Sequence, residues 1–263
     1  FRDDNGREPT EDEFDKIYTD AGGSGMNAFT NQDMTVYFIT VPANKLELWF
    51  WMEADRIKNR VFREFYSERD VVYEERRRSV ESTPLGKFQI SYDAVFWDSS
   101  PYSWPVIGWP SDVAAISKAQ ADEYYGSYYA PGNLTAILVG DFDPKQALAM
   151  AEKYLGSIPA GTRPAPEMIT SETRQLAEKR FYGEAETNPA ITMRWHVPAL
   201  VHKDAPALEV VAQLLSSNTG RLYRNIVLDK KLATSAGANN EPRKYEGVFE
   251  LNAEAKEGHT PEE

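Results

Sequence analysis

The feature that most constrains the fold is a break two thirds of the way along the chain. The stretch Ala160–Glu172, entered through Pro159, carries Pro164 and Pro166 among Gly, Thr and Ser, with no apolar periodicity. Such a segment continues neither a helix nor a central strand, so it reads as a linker between two folding units. We expect a first domain at 1–159, a linker at 160–175 and a second domain at 176–263.

The pattern before the break mixes helices and strands. Thr10-Glu11-Asp12-Glu13 has capping-box spacing ahead of Phe14, Ile17 and Tyr18. Met34–Val41 is β-branched and aromatic, as a strand requires. Helices are predicted over Asn44–Val61 and Ser67–Ser82, from Ser117 through Tyr124, and from the Asp143 N-cap and Pro144 to a stop at Gly156. Leu134–Val139 reads as a short buried strand. Beyond the linker, Ile191, Met193 and Trp195 alternate as a half-buried strand, Ala205–Leu215 reads as a helix, and Phe249, Leu251 and Ala253 alternate as another strand. The order implies an α+β fold of layered α/β sandwiches rather than a doubly wound sheet.

At 263 residues, 41% hydrophobic, the chain can bury a real core. A net charge of −12 argues against a nucleic-acid partner, because phosphate would be repelled. The basic run Arg76-Arg77-Arg78 lies among Glu74, Glu75 and Glu81 and reads as a solvated helix face. No apolar run reaches the roughly 18 residues of a transmembrane segment. Cysteine is absent, which removes disulfides, thiolate metal sites and a Cys nucleophile, and fits cytosol and periplasm alike. The three histidines, His196, His202 and His259, have no metal-ligand spacing and read as structural.

The chemistry-bearing candidate is Glu68-Arg69-Asp70-Val71-Val72-Tyr73-Glu74-Glu75. Seven residues place Glu68 and Glu75 on one helix face, two turns apart, with valines between. From spacing alone, a charged helix face and a paired-carboxylate site both remain open.

Four segments in order then resemble the pitrilysin/insulinase (M16) family of inverzincin zinc peptidases. The E-R-x-V-x-x-x-E helix is Glu68 to Glu75. The substrate-edge strand N-A-x-T-x-x-x-x-T-x-Y is Asn27-Ala28-Phe29-Thr30 through Thr35-Val36-Tyr37, after Gly25. The P-Y-x-x-P-x-x-G loop is Pro101 to Gly108. Y-x-P-x-N is Tyr129 to Asn133, followed by Gly140-Asp141-Phe142-Asp143. The resemblance implies two related sandwich domains with mostly antiparallel sheets, the second incomplete. It implies a Zn2+-dependent endopeptidase acting on peptides or unfolded segments, with Glu75 as metal ligand and Glu68 as the carboxylate that supports catalysis. Asn27 and Ala28 match the strand that accepts an extended substrate by β-augmentation.

In this family the zinc lowers the pKa of its bound water and a Glu accepts the proton. The remaining ligands belong to H-x-x-E-H. That motif is missing, and by the family's spacing it would end just before residue 1, with Phe1 and Asn5-Gly6 in the stretch that follows it. The Arg and Tyr expected in the opposite half are replaced at the matching places by Val227 and Thr234, which implies a second M16 half, fused or separate, as partner. The chain alone is therefore expected to be an inactive fragment without bound zinc, with a further helix starting at Thr260-Pro261. Family membership suggests a periplasmic or extracytoplasmic setting. Two rivals are a non-catalytic M16-like scaffold or partner subunit, and an aromatic-lined binding module built on Trp97, Tyr102, Trp104 and Trp109.

Overall fold

The structure is a computed structural model and describes residues 11–161 and 165–263. The expectations for Thr10, Phe1 and Asn5-Gly6 lie outside these residues, as does the part of the linker at 162–164. In chain order the elements begin with α1 (Glu11–Asp20), β1 (Ser24–Thr30), β2 (Thr35–Thr40), α2 (Leu46–Lys58), α3 (Phe65–Arg76) and α4 (Gly86–Phe96). They continue with α5 (Pro110–Ala115), α6 (Lys118–Tyr128), α7 (Pro144–Tyr154), β3 (Ala190–Pro198), α8 (Ala205–Ser216), β4 (Ala233–Glu241) and β5 (Glu246–Ala255). This is a mixed α+β fold with antiparallel sheets, as expected.

The chain forms two compact units, Phe1–Tyr73 with Pro110–Glu167, and Glu74–Trp109 with Met168–Glu263. Their spatial grouping differs from a linear cut at the linker, because 74–109 goes with the later residues.

In the first unit β1 and β2 pair antiparallel, with Ala28 opposite Tyr37 and a register shift between Ser24 and Asn27. Gly25 sits at that shift with φ +65, where a side chain would be strained. Phe50, Met52 and Ala54 of α2 are buried, and Tyr18 of α1 donates its hydroxyl to Glu53 of α2 at 3.0 Å. The caps follow the sequence closely. Ser117 and Gln120 form a complete capping box on α6, and Asp143 accepts from the amides of Lys145 and Gln146 ahead of Pro144. The strand expected at Leu134–Val139 is a correction: this segment has no regular structure, and Ile137 and Val139 are 76% and 93% exposed. An apolar run alone does not make a strand when no neighbouring strand supplies hydrogen bonds.

The second unit holds a three-stranded sheet in the order β3-β5-β4, all antiparallel. Ser216 of α8 bonds the backbone of β4 at Ala238, accepting from its amide at 2.7 Å and donating to its carbonyl. Strand β3 exists where expected, but its faces are exchanged. Met193 and Trp195 are exposed, whereas Thr192, Arg194 and His196 lie on the packed side. The reason is α4. Tyr92 donates to the Thr192 carbonyl at 3.2 Å. Asp93 of α4 and Glu250 of β5 both pair with Arg194, which also stacks on the Tyr92 ring at 4.5 Å. With its charge matched on two sides, the guanidinium takes a place that an apolar-in reading reserves for Met or Trp. A small apolar cluster of Phe96, Trp97, Tyr102 and Val248 lies nearby, so the aromatics of that loop that are buried serve packing.

At the chain's end Glu257 and Gly258 turn, Pro261 and Glu262 turn again, and the Thr260 amide donates to the Glu263 side chain at 3.4 Å.

Candidate metal-site helix and edge strand

Helix α3 sorts its residues into two faces. Phe65, Arg69, Val72, Tyr73 and Arg76 recur at helical spacing and are partly or fully buried. Phe65 meets Phe62 edge to face at 6.3 Å, and Arg69 donates to the carbonyl of Ala114 at 3.1 Å. A stripe roughly 110° around the helix from this one is exposed and contains Glu68, Val71 and Glu75. By helix geometry, Glu68 and Glu75 fall within about 20° of each other and are separated by roughly 10 Å along the axis. Val71 between them is 58% exposed.

Two carboxylates and Val71 thus share an exposed stripe, whereas Val72, expected between them, lies on the packed side. Among the described residues, neither carboxylate makes a hydrogen bond or ion pair. After Arg76 the helix loosens into a π turn, Arg77–Glu81, and Ser79 donates to the Glu75 carbonyl at 2.8 Å.

Asn27 and Ala28 lie on β1, every residue of which is exposed. Among the described residues β1 pairs only with β2, so one side of it carries unpaired backbone groups. The Ala28 amide donates to Oδ1 of Asn27 at 2.8 Å, so this edge donor is held by its neighbour's side chain. Across the pair, Tyr37 forms part of a pocket of about 480 Å³ with Phe62, Ile116, Tyr124, Tyr125 and Tyr129. Tyr125 and Tyr129 stack at 4.3 Å, and burial, followed by the hydrogen bond to Tyr37, pushes the Tyr129 hydroxyl pKa upward.

The described residues do not by themselves fit a zinc site. No group of three or more His, Cys, Asp and Glu side chains is placed to hold a metal among them, and one carboxylate is too few for a tetrahedral centre. The histidines are occupied elsewhere. The ring of His196 stacks on Phe96 at 4.0 Å, Nδ1 of His202 accepts from the Asp204 amide at 3.2 Å, and the His259 ring meets Glu263 at 2.7 Å. Val227 is half-buried in the π-helical segment Tyr223–Asp229. Thr234 is exposed on β4, where it donates to the Glu254 carbonyl at 3.4 Å.

Sequence reasoning missed the polar groups that organise the second unit: Arg194 with its two acids, and Glu172, whose carboxylate accepts three backbone amides. Arg194 as the one Arg or Lys in its strand was the available signal for the first. Nothing in the local pattern marks the second.

The α+β fold, with an open stripe of carboxylates on α3 and an edge on β1, is made specific by comparison. A family model described as the peptidase M16 inactive domain matches residues 115–262, more than half of the chain. The chain therefore belongs to the M16 peptidase family. It is similar to the zinc protease PqqE of Helicobacter pylori, 28% identical over 243 residues, covering 90% of this chain and 54% of that protein. A crystal structure of a protease from Helicobacter pylori superposes with a TM-score of 0.85 at 27% identity, covering 95% of this chain and 62% of that one. The periplasmic protease PqqL from Escherichia coli shares the fold, with a TM-score of 0.61 at 20% identity over 92% of this chain and 28% of that one. The chain thus spans about half the length of the curated relative it matches over most of its own length.

Proposed function

We propose that this chain is part of the zinc-bearing half of an M16 metalloendopeptidase that hydrolyses peptides or unfolded segments. The observation that carries the reading is the open stripe of α3, where Glu68 and Glu75 have no partner among the described residues and lie on an exposed side. Unpaired carboxylates flanking an exposed valine contribute little to folding, but they suit a surface that meets a cation. Glu75 is the metal ligand and Glu68 the supporting carboxylate. Asn27 and Ala28 present the backbone edge to an extended peptide, and Asn27 releases the Ala28 amide as the peptide binds.

The described residues supply one zinc donor only. We assign the others to an H-x-x-E-H helix of the full-length protein, and the 263-residue chain alone to an inactive state that does not retain zinc. A second M16 half, fused or separate, completes the chamber. The domain division at 1–159 and 176–263 belongs to the same reading. The periplasmic description of the Escherichia coli relative supports an extracytoplasmic setting.

A second reading, a non-catalytic scaffold subunit, is favoured by one observation: the matching family model is that of the inactive domain. That match begins at residue 115, however, and leaves α3 outside it. The deciding experiment is metal analysis of the full-length protein. Glu75→Gln should abolish zinc retention, and Glu68→Gln should keep more metal but lose on the order of 10²-fold or more in peptide cleavage. Full zinc content and full activity in the Glu75 variant refute the assignment.

A further inference from the structure

The extended segment from Met168 to Pro189, which precedes β3, has no regular structure of its own. It is held to the end of α4 by two side chains of opposite charge. Glu172 accepts three consecutive amides: Asp98 at 2.8 Å on one oxygen, Ser99 at 3.1 Å and Ser100 at 2.8 Å on the other. Lys179 donates to the carbonyls of Val95 at 3.0 Å and Phe96 at 3.3 Å, and to Asp98 at 2.7 Å. The polarity is matched: a cation caps the carbonyl end of the helix, and an anion fills the nest of amides that follows it. Ser99 fastens the same place, donating to the Ser171 carbonyl at 2.8 Å and accepting from the Thr173 amide at 3.0 Å.

Against this junction lies His196 of β3. Its ring is nearly parallel to Phe96 at 4.0 Å and meets Trp97 edge on at 4.9 Å. We propose that the junction is an acid-released latch, in which ionised Glu172 holds the extended segment on the end of α4, neutral His196 packs against that end, and protonation of both frees the segment.

Both groups act in one direction. Burial holds the His196 pKa below its ordinary value, with Glu172 opposing and Lys179 adding to the depression. A His depressed in the fold stabilises it above the unfolded value near 6.5 and withdraws that contribution as pH falls below it. Burial raises Glu172, but the amides of Ser100, Asp98 and Ser99 together outweigh it, so its pKa is lowered. Its contribution too is lost on the acid side. The other charged groups facing the junction are Asp98, Lys179, Arg243, whose guanidinium lies 5.5 Å from the Trp97 ring, and Glu246. Glu246, raised by burial and then by Glu172, takes up its proton first and relieves a repulsion with Glu172. That works against release, so release waits on Glu172 and His196 themselves.

Backbone hydrogen exchange of the 263-residue chain at pH 7.5 and 3.5, corrected for intrinsic rates, tests this. Segments 95–100 and 168–181 should lose about tenfold protection at pH 3.5 relative to β5. Glu172→Gln should lower that protection at pH 7.5 and match the wild type at pH 3.5, and His196→Phe, which keeps a ring against Phe96, should retain more of it at pH 3.5. Should His196→Phe disturb β5, NMR titration of the wild-type His196 ring replaces it, with a midpoint below 6.5 expected. Equal protection of both segments at the two pH values, loss shared equally by β5, wild-type protection in Glu172→Gln at pH 7.5, or a midpoint at or above 6.5 overturns the proposal.

Discussion

The hydroxyl oxygens of Tyr37 and Tyr129 lie 2.6 Å apart, joining the strand beside β1 to the end of α6. Tyr37 also stacks under the Arg56 guanidinium at 4.7 Å. Beyond its pairing with β1, β2 is therefore tied to α6 and α2 by this hydroxyl pair and this cation–π contact. Tyr37→Phe and Tyr129→Phe each remove a single neutral hydrogen bond at a half-exposed site. Each should cost about 0.5–1.5 kcal/mol. The double variant should cost less than the sum, since both changes break the same bond. Urea midpoints at unchanged slope measure this, and strict additivity would show that the pair is not coupled.

Glu68 and Glu75 are exposed and have no partner among the described residues, so replacing either with Gln should leave the stability of this chain within about 0.5 kcal/mol. The prediction separates chemistry from architecture. A loss above about 1.5 kcal/mol in urea unfolding would mean that the carboxylates serve the fold, and the case for a metal-facing stripe would weaken.

Much of this was legible wherever the signal is local. Asp143-Pro144 and Ser117 specify helix starts through side-chain oxygens acting two or three residues away, and those starts appear as read. The Asn27–Thr30 run likewise lies on a strand. Legibility ends where a long-range partner decides the outcome. Leu134–Val139 has strand composition but no strand beside it among the described residues. Met193 and Trp195 alternate correctly yet face out, because Asp93 and Glu250, distant in sequence, neutralise Arg194 on the other face. The seven-residue spacing of Glu68 and Glu75 follows from helix geometry alone, whereas their exposure depends on what the rest of the chain leaves uncovered.

Arg194 tests that account. Its side chain is 12% exposed, between Asp93 and Glu250 and over Tyr92. Arg194→Ala leaves the partly buried Glu250 without its cation and should destabilise by about 3–5 kcal/mol. Arg194→Lys should recover only part of this, since one ammonium cannot reproduce a planar group that binds two acids and stacks on a ring. Thermal unfolding of the three proteins gives the order, and a lysine variant equal to the wild type would deny the guanidinium its role.

Tyr18 offers a pH-dependent test on the alkaline side. It is almost fully buried, donates to Oε1 of Glu53 at 3.0 Å, and lies edge-on to Phe14 at 5.5 Å. The other oxygen of Glu53 pairs with Arg56, so the phenol and the guanidinium divide one carboxylate between them. Tyr18→Phe keeps the ring packing but leaves Oε1 without its donor, which should cost about 1–3 kcal/mol near neutral pH. Burial, then the negative charge of Glu53 and the hydrogen bond to it, raise the Tyr18 pKa well above its ordinary value of 10.0. The folded state therefore holds this proton more tightly than the unfolded state does. Its stabilising contribution is complete below pH 10 and is lost as the pH rises further, because only the unfolded chain can then release the proton. The remaining tyrosines titrate in both proteins and cancel in the comparison. The stability difference between wild type and Tyr18→Phe should thus be constant from pH 7 to 9 and shrink between pH 10 and 11. Urea unfolding at each pH measures it, and a difference that stays constant up to pH 11 would show that the phenol is not held protonated by this site.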